Sequence, residues 1–317
     1  MLSTPQKVSK HSIPDRFKEA IQLHLIRNIW NATRDTTALI MGIEGPPGEG
    51  KSYQCRKVLD ELGYKYIELS TSDFGSRWEA EAARTLGATY VEASVLAQTT
   101  RIPHAIICDD VDAAIGQWSE RTQYTVNRQL LSGELMHLAE NPTRLRVDAT
   151  KLSDTAKKLL DIKERYDGEL SEAKTTRVPF FMTGNDFTKL YSPLLRDGRM
   201  TRFAWLPSPE EKQAVVAKIM RLNASDAQNL IALCEELAKK HNVNVPSVSF
   251  YTALRNRAFD DIILSTLKSK GWKDGMLVFN QQIVAPQINE PTFNDYCSKA
   301  EDAVIQSLTH QSYLEEV

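Results

Sequence analysis

The chain has 317 residues, of which 42% are hydrophobic and 25% are charged, and its formal net charge is −2 at pH 7. This length predicts about two domains, and the near balance of charges argues against a nucleic-acid backbone as the main ligand, because that binding needs a basic surface. No apolar run reaches the ~20 residues of a membrane span, no apolar signal segment opens the chain, and the four cysteines are widely spaced, so the composition predicts a soluble cytoplasmic protein with reduced thiols.

The first predicted elements surround a glycine-rich loop. An amphipathic helix is predicted within residues 14–33 and an apolar strand over residues 37–43, and the strand runs into a sequence that fits the phosphate-binding pattern G-x-x-x-x-G-K-[ST]. In this pattern the glycines let backbone N–H groups point at phosphates, while the lysine reaches the terminal phosphates and the serine ligates Mg²⁺. The pattern predicts a site for ATP and Mg²⁺. Its residues are Gly45, Pro46, Pro47, Gly48, Glu49, Gly50, Lys51, Ser52 and Tyr53.

Three carboxylates follow a buried strand further along the chain. Strands are predicted over residues 64–69 and 105–108, separated by a helical stretch, and the second strand ends in Cys108-Asp109-Asp110-Val111-Asp112. Taken alone, an acidic run after a strand is more often a helix cap or a loop, but a Mg·ATP enzyme needs negative charge beside its phosphate loop. We therefore predict that Asp109 holds Mg²⁺ and that Asp110 polarises the attacking water.

The next two predicted strands carry polar residues at the same sheet edge. They cover residues 179–183 and 203–205, and short apolar strands that alternate with helices imply a parallel sheet covered on both faces, with ligands beyond the carboxyl ends of the strands. Asn185 follows the first of these strands. Its amide is suited to orienting the water or sensing the γ-phosphate, although an asparagine at this point could equally be a turn residue.

Two arginines, Arg196 and Arg199, lie between these strands in the sequence. Guanidinium groups stabilise the charge on a transferring phosphoryl group, which is worth ~10³ to 10⁵ in rate, whereas surface ion pairs contribute little. The order of phosphate loop, acids, asparagine and arginines resembles that of ring-forming ATPases, whose arginines act on the nucleotide of a neighbouring subunit. We therefore predict a catalytic role for both arginines, with surface ion pairs as the alternative.

A domain boundary is predicted after residue 206. Two prolines flank the N-cap-like Ser208 there, and helical periodicity dominates from residue 210 to about residue 269. We predict an α/β nucleotide-binding domain over residues 1–206 and an α-helical lid domain with a C-terminal tail over residues 207–317. In the second domain, the Arg255 side chain is predicted to point toward the γ-phosphate. The alternative is that Arg255 is an ordinary arginine on a helix surface.

The segment of residues 148–174 is rich in Lys, Asp and Glu. The spacing of its apolar positions suggests an amphipathic helix that is mobile or lies on the surface. A solvated insertion without a special role is favoured over a flap that docks a partner.

Several stretches of the chain resemble one family, the AAA+ ATPases, and within it the Rubisco activases. The resemblance extends from about residue 16 to the end, and its most specific stretches are Thr122-Gln123-Tyr124-Thr125-Val126-Asn127 and Thr183-Gly184-Asn185-Asp186-Phe187. Further matching stretches are Glu140-Asn141-Pro142-Thr143, Arg196-Asp197-Gly198-Arg199-Met200, Ala253-Leu254-Arg255 and Pro291-Thr292-Phe293.

The resemblance implies a P-loop NTPase of the AAA+ type, with a five-stranded parallel sheet and a C-terminal α-helical lid, that works as a hexameric ring. It implies that the phosphate loop binds ATP and Mg²⁺ and that ATP hydrolysis serves to pull on inhibited Rubisco, which releases tightly bound sugar phosphates. The implied roles are the acidic motif for Asp109 and Asp110, the first sensor for Asn185, the arginine fingers for Arg196 and Arg199, and the second sensor for Arg255.

The pore loops and the length of the Asp110 side chain leave alternatives open. The first predicted pore loop, residues 73–79, contains Trp78 instead of a Gly-Asn-rich sequence, and the second, residues 116–121, contains Trp118; each tryptophan could grip an extended polypeptide or belong to a core. Asp110 is one carbon shorter than the glutamate that is more common in related ATPases. The alternatives are a remodeller of another protein complex and a nucleotide-gated assembly module that seldom hydrolyses ATP.

Overall fold

The chain forms two compact units. One unit consists of residues 13–47 and 51–206, and residues 207–317 make up most of the other. No described helix is long and apolar enough to cross a membrane. The roles assigned to the two domains, nucleotide binding and lid, stay predictions. The structure is a computed structural model that describes residues 13–30, 32–70, 81–112, 122–162, 170–271, 273–274, 276 and 290–315.

The first unit alternates helices and strands. In chain order its elements are α1 (Asp15–Ile29), β1 (Ile40–Glu44), α2 (Lys51–Glu61), β2 (Lys65–Leu69), α3 (Glu81–Thr100), β3 (His104–Cys108), α4 (Thr122–Glu140), β4 (Arg144–Asp148), α5 (Asp154–Leu159), β5 (Leu170–Lys174), β6 (Phe180–Gly184) and β7 (Met200–Ala204).

Five of these strands form one parallel sheet in the order β2-β3-β6-β1-β7. Strand β6 lies between β1 and β3, so that Phe180 pairs with Ile40 on one side and with Ile106 on the other. The carboxyl ends of β3, β6 and β1 therefore lie side by side, at the edge where open α/β sheets bind their ligands. The predicted five-stranded parallel sheet is confirmed.

Both faces of this sheet are buried. Phe180 and Met182 pack into a cluster with side chains of α3 and α4, whereas Phe181 between them packs with Phe17 of α1 and Val58 of α2. Successive side chains of a strand point to opposite faces, so a strand with helices on both sides is apolar at nearly every position. This explains why β3 and β6 are short continuous apolar runs in the sequence.

The prediction of one amphipathic helix over residues 148–174 is wrong. Strands β4 and β5 form an antiparallel pair, in which Leu145 and Ala173 are buried, and the helix α5 between them has only six residues. Lys151 forms an ion pair with Glu81 of α3, which ties the segment to the sheet unit. Apolar spacing over five residues does not separate a short strand from a helix, and here the pairing of β5 with β4 decides between them.

The second unit is helical, as predicted. Its helices are α6 (Pro209–Met220), α7 (Ala224–Lys240), α8 (Val248–Lys270) and α9 (Phe293–Glu315), and their core includes Val216, Leu230, Leu254 and Tyr296. The predicted N-cap is confirmed, because the Ser208 hydroxyl accepts the N–H of Glu211 at 3.2 Å and the Glu211 carboxylate accepts the N–H of Ser208 at 2.7 Å. Helix α9 lies beyond the helices that periodicity predicts.

Candidate active site

The predicted phosphate loop joins the end of β1 to the start of α2. A Cβ on Gly45 would lie 1.9 Å from the carbonyl oxygen of Trp205, so no larger residue fits there. Gly48 and Gly50 have φ angles of +78° and +75°, a region that glycine adopts without steric cost. The path of the backbone therefore requires the glycines of the pattern.

Lys51 lies between the phosphate loop and the end of β6. Its side chain is buried, and its ammonium group donates to the carbonyl oxygens of Gly45 and Pro46 at 2.8 and 2.9 Å. It also donates to Oδ1 of Asn185 at 2.9 Å. The predicted phosphate-binding cation and the predicted sensor, which are far apart in the sequence, are thus in direct contact.

A chain of hydroxyl groups connects the two predicted Mg²⁺ ligands. The Thr183 hydroxyl donates to Oδ1 of Asp109 at 2.8 Å, and Oγ of Ser52 lies 3.1 Å from the same Thr183 oxygen. A hydroxyl has one proton to donate, so Ser52 is the donor to Thr183. The second oxygen of Asp109 forms an ion pair with Arg56 of α2. Asp109 is therefore held from β6 on one side and from α2 on the other.

Asp110 occupies an unusual backbone position at the end of β3. Its φ angle is +51°, in the left-handed region that few residues other than glycine, asparagine and aspartate adopt. Loss of water around its carboxyl group raises its pKa, and the neighbouring charges of Asp109 and Asp112 raise it further, while Lys51 opposes the shift. A carboxylate with a raised pKa is a stronger base, which suits the predicted role of Asp110.

The third carboxylate of the acidic run has a structural role that the sequence does not reveal. Asp112 is only 3% exposed, and its Oδ2 accepts the N–H groups of Asn185 and Asp186 at 3.1 and 3.2 Å. A Cβ on Gly184 would lie 2.8 Å from Oδ1 of Asp112. Asp112 therefore fixes the turn that carries the predicted sensor.

The donor set suits a hard cation. Mg²⁺ is usually bound by one or two carboxylates together with waters and substrate phosphates, and here the Ser52 hydroxyl and the Asp109 carboxylate converge on Thr183. The described residues contain no cluster of three or more His, Cys, Asp or Glu side chains that could hold a metal alone. Waters and phosphate oxygens would complete the ligand sphere.

The same part of the chain matches a known protein family. A family model described as "ATPase family associated with various cellular activities (AAA)" matches residues 41–208, which is more than half of the chain and spans the phosphate loop, the acidic run, Asn185 and both predicted arginine fingers. The chain belongs to the AAA family of ATPases.

Relatives named ribulose bisphosphate carboxylase/oxygenase activase match most of the chain. The protein of a Nostoc species is 30% identical over 283 residues, which cover 89% of this chain and 62% of the relative. The chloroplastic proteins of Arabidopsis thaliana and Phaseolus vulgaris are 30% and 31% identical, and the matches cover 88% and 89% of this chain and 54% and 57% of those proteins. The chain thus spans roughly three fifths of the length of these relatives.

The two predicted arginine fingers of this AAA protein differ in their surroundings. Arg196 is exposed, and its side chain makes no hydrogen bond or ion pair with any described residue. Arg199 forms an ion pair with Glu140 at the end of α4, with Nε 2.8 Å from Oε1, and its NH1 donates to the carbonyl oxygen of Pro193 at 2.6 Å. The catalytic roles of both arginines stay predictions.

Arg255, the predicted second sensor, is on α8. Its guanidinium group forms an ion pair with Glu290 at 2.6 Å and lies 5.0 Å from the ring centre of Phe259. Glu290 also pairs with Arg221. These contacts fix the side chain within the helical unit, and its role toward a nucleotide stays a prediction.

Two predicted features lie outside the described residues. They are the pore loops, residues 73–79 and 116–121, with Trp78 and Trp118. Their role in gripping a client therefore stays a prediction.

The contacts of several residues at this site cannot be predicted from the sequence. Thr183 and Asp112 belong to stretches that stand out in the sequence, but which of their neighbours they bond is fixed only by the order of strands in the sheet. The sequence does not indicate the ion pairs of Arg56 and Glu140, because each of these residues acquires its partner through contact between different elements. An arginine one turn after the phosphate loop could have suggested Arg56.

Proposed function

We propose that this protein is an ATP-dependent remodelling ATPase of the activase type, which assembles into a homo-oligomeric, hexameric ring and releases inhibitory sugar phosphates from Rubisco. The observation that carries the proposal is the convergence of Lys51, Asn185, Ser52 and Asp109 at the carboxyl ends of three adjacent strands. A cation, an amide, a hydroxyl and a carboxylate are the groups that a Mg·ATP site needs.

Each residue of the site has a distinct task in this proposal. Lys51 binds the terminal phosphates, and the loop N–H groups support them. Ser52 and Asp109 would hold Mg²⁺, which neutralises phosphate charge when bound. Asp110 accepts a proton from the attacking water, and Asn185 orients the water or the γ-phosphate. The turn with Arg196 and Arg199, from a neighbouring subunit, supplies the positive charge that stabilises the phosphoryl group during transfer.

The proposed base predicts a pH profile for the ATPase. Asp110 acts when ionised, and its pKa is raised above the usual aspartate range, so turnover should be present above that raised pKa and be lost as the pH falls through it. Asp110→Asn should lower kcat by ~10² to 10⁴. Steady-state ATPase assays from acidic to neutral pH check both statements. Asp110→Glu is the matched control that keeps the charge, and an Asp110→Asn variant with wild-type turnover would contradict the role.

Two observations support the proposed client and assembly. The relatives that match 84–89% of the chain are named as activases of ribulose bisphosphate carboxylase/oxygenase. The exposed Arg196 follows the acidic motif and the sensor in the order used by ATPases whose arginines reach a neighbouring subunit. A ring is the closed assembly that such head-to-tail contacts generate.

Reactivation of inhibited Rubisco tests the proposal. Rubisco of the same organism, loaded with its sugar-phosphate inhibitor, should regain carboxylation when wild-type protein and Mg·ATP are added, and Lys51→Ala protein should give no recovery. Intact ATPase activity without recovery would favour a remodeller of another complex. Wild-type protein that binds ATP but does not hydrolyse it would favour the nucleotide-gated assembly module.

A further inference from the structure

The two arginines of the predicted finger motif make different contacts within the chain. All three nitrogens of the Arg199 guanidinium group are engaged: Nε and NH2 donate to Oε1 of Glu140, and NH1 donates to the Pro193 carbonyl oxygen and to Sδ of Met136 at 3.3 Å. The Arg199 side chain is 23% exposed. Arg196 is exposed, and its side chain makes no such bond with any described residue.

The partner of Arg199 is firmly anchored. Glu140 is the last residue of α4, and Leu131, Leu135 and Leu138 of that helix are buried in the core of the sheet unit. Two charge-assisted N–H···O bonds that converge on one oxygen of this carboxylate hold the guanidinium group in place. The turn that carries Arg199 is therefore attached to the core through α4.

The turn itself is compact and ends on the sheet. The N–H groups of Arg199 and Met200 donate to the carbonyl oxygen of Arg196 at 3.1 and 3.4 Å, and Gly198, at φ +90°, permits the reversal. Met200 is buried and pairs with Ile40 of β1. A fixed Arg199 thus fixes the backbone of Arg196, while the Arg196 side chain stays directed to solvent.

We infer that Arg196 is the arginine that contacts the neighbouring subunit's nucleotide, and that Arg199 and Glu140 are positioning residues that hold the turn in place. An arginine whose charge is already neutralised by a carboxylate is a poor partner for a developing phosphoryl charge, whereas a solvent-exposed arginine on a rigid turn can reach a separate chain. This inference rests on the proposed function, because it assumes that arginines act between subunits.

Steady-state ATPase kinetics of the assembled full-length protein test this division of roles. Arg196→Ala should lower kcat by ~10³ to 10⁵ with little change in KM. Arg199→Ala and Glu140→Ala should each lower kcat by up to ~10², the cost of misplacing a catalytic group by about 1 Å. The double variant Arg199→Ala/Glu140→Ala should have a kcat no lower than that of the slower of its two single variants, because the two residues act as one unit.

Two further variants separate positioning from a general loss of structure. Glu140→Gln keeps an oxygen that accepts the Arg199 N–H groups, so it should recover most of the activity lost in Glu140→Ala. Arg144→Ala removes an exposed ion pair with Glu172, 3.1 Å long, from the antiparallel pair of strands β4 and β5, and should leave kcat unchanged. Sedimentation and thermal unfolding check that each variant assembles and folds.

Three results would overturn the inference. In the first, Arg199→Ala lowers kcat as much as Arg196→Ala does, while Glu140→Ala keeps wild-type activity or more. In the second, the losses in kcat of Arg199→Ala and Glu140→Ala add up in the Arg199→Ala/Glu140→Ala double variant. In the third, Arg196→Ala assembles into rings that hydrolyse ATP at the wild-type rate. A wild-type protein without ATPase activity would overturn the proposed function first and this inference with it.

Discussion

Mixing two inactive variants, Arg196→Ala and Lys51→Ala, should restore ATP hydrolysis. Arg196→Ala rings should bind ATP normally but turn it over ~10³ to 10⁵ more slowly than wild type, because they lack the guanidinium group that meets the transferring phosphoryl group. Lys51→Ala chains cannot hold the nucleotide but still carry an intact Arg196. In a mixed ring, an Arg196→Ala site next to a Lys51→Ala neighbour contains every required group.

The size of the rescue follows from the geometry of a head-to-tail ring. With equal amounts of the two variants and random mixing, about a quarter of the interfaces pair an ATP-binding site with an intact arginine, so turnover should rise to about that fraction of wild type. The measurement is steady-state ATPase activity after the chains are exchanged, with mixing verified by differently labelled variants. The control replaces Lys51→Ala by the double variant Lys51→Ala/Arg196→Ala, which has no arginine to offer. No rescue in verified mixed rings would argue against action between subunits.

Lys51→Ala alone should abolish tight ATP binding. The ammonium group would donate to the terminal phosphates, and hydrogen bonds to charged groups are worth ~1.5 to 3 kcal/mol each. The loss of two such bonds should raise the Kd for ATP by a factor of ~10² to 10⁴. The same substitution removes the contacts of Lys51 with Gly45, Pro46 and Asn185, so thermal unfolding without nucleotide measures their separate contribution to stability.

A lysine on the same helix is the matched control for this prediction. Lys57 of α2 contacts Asp60 at 3.5 Å and the ring of Tyr53 at 5.8 Å, and the Lys57→Ala variant should bind ATP as the wild type does. Equilibrium titration with a fluorescent ATP analogue gives both affinities. Equal Kd values for Lys51→Ala and wild type would rule out the proposed phosphate site.

Much of the candidate site can be predicted from the sequence because its signals are local. The glycines at 45, 48 and 50 indicate the backbone path of one loop, and the apolar runs of β3 and β6 indicate strands that are buried on both faces of the sheet. Polar residues directly after such strands must lie at the carboxyl edge of a parallel sheet.

The partners of these residues could not be predicted. Thr183 bridges Ser52 and Asp109 only because β6 lies between β1 and β3, and strand order is not encoded in any short stretch. The 148–174 segment shows the same limit. Its last five residues, Leu170–Lys174, form a strand because they pair with β4, which lies almost entirely outside the segment.

The sequence by itself therefore determined the phosphate loop, the parallel α/β sheet and the helical second unit, because backbone conformation and strand burial leave periodic and local marks in the chain. Only the tertiary structure decided that Asp112 holds the Asn185 turn, that Arg56 clamps Asp109, and that Arg199 is tied to Glu140 while Arg196 faces solvent. Each of these contacts joins residues from different elements, and such contacts follow from how the elements pack.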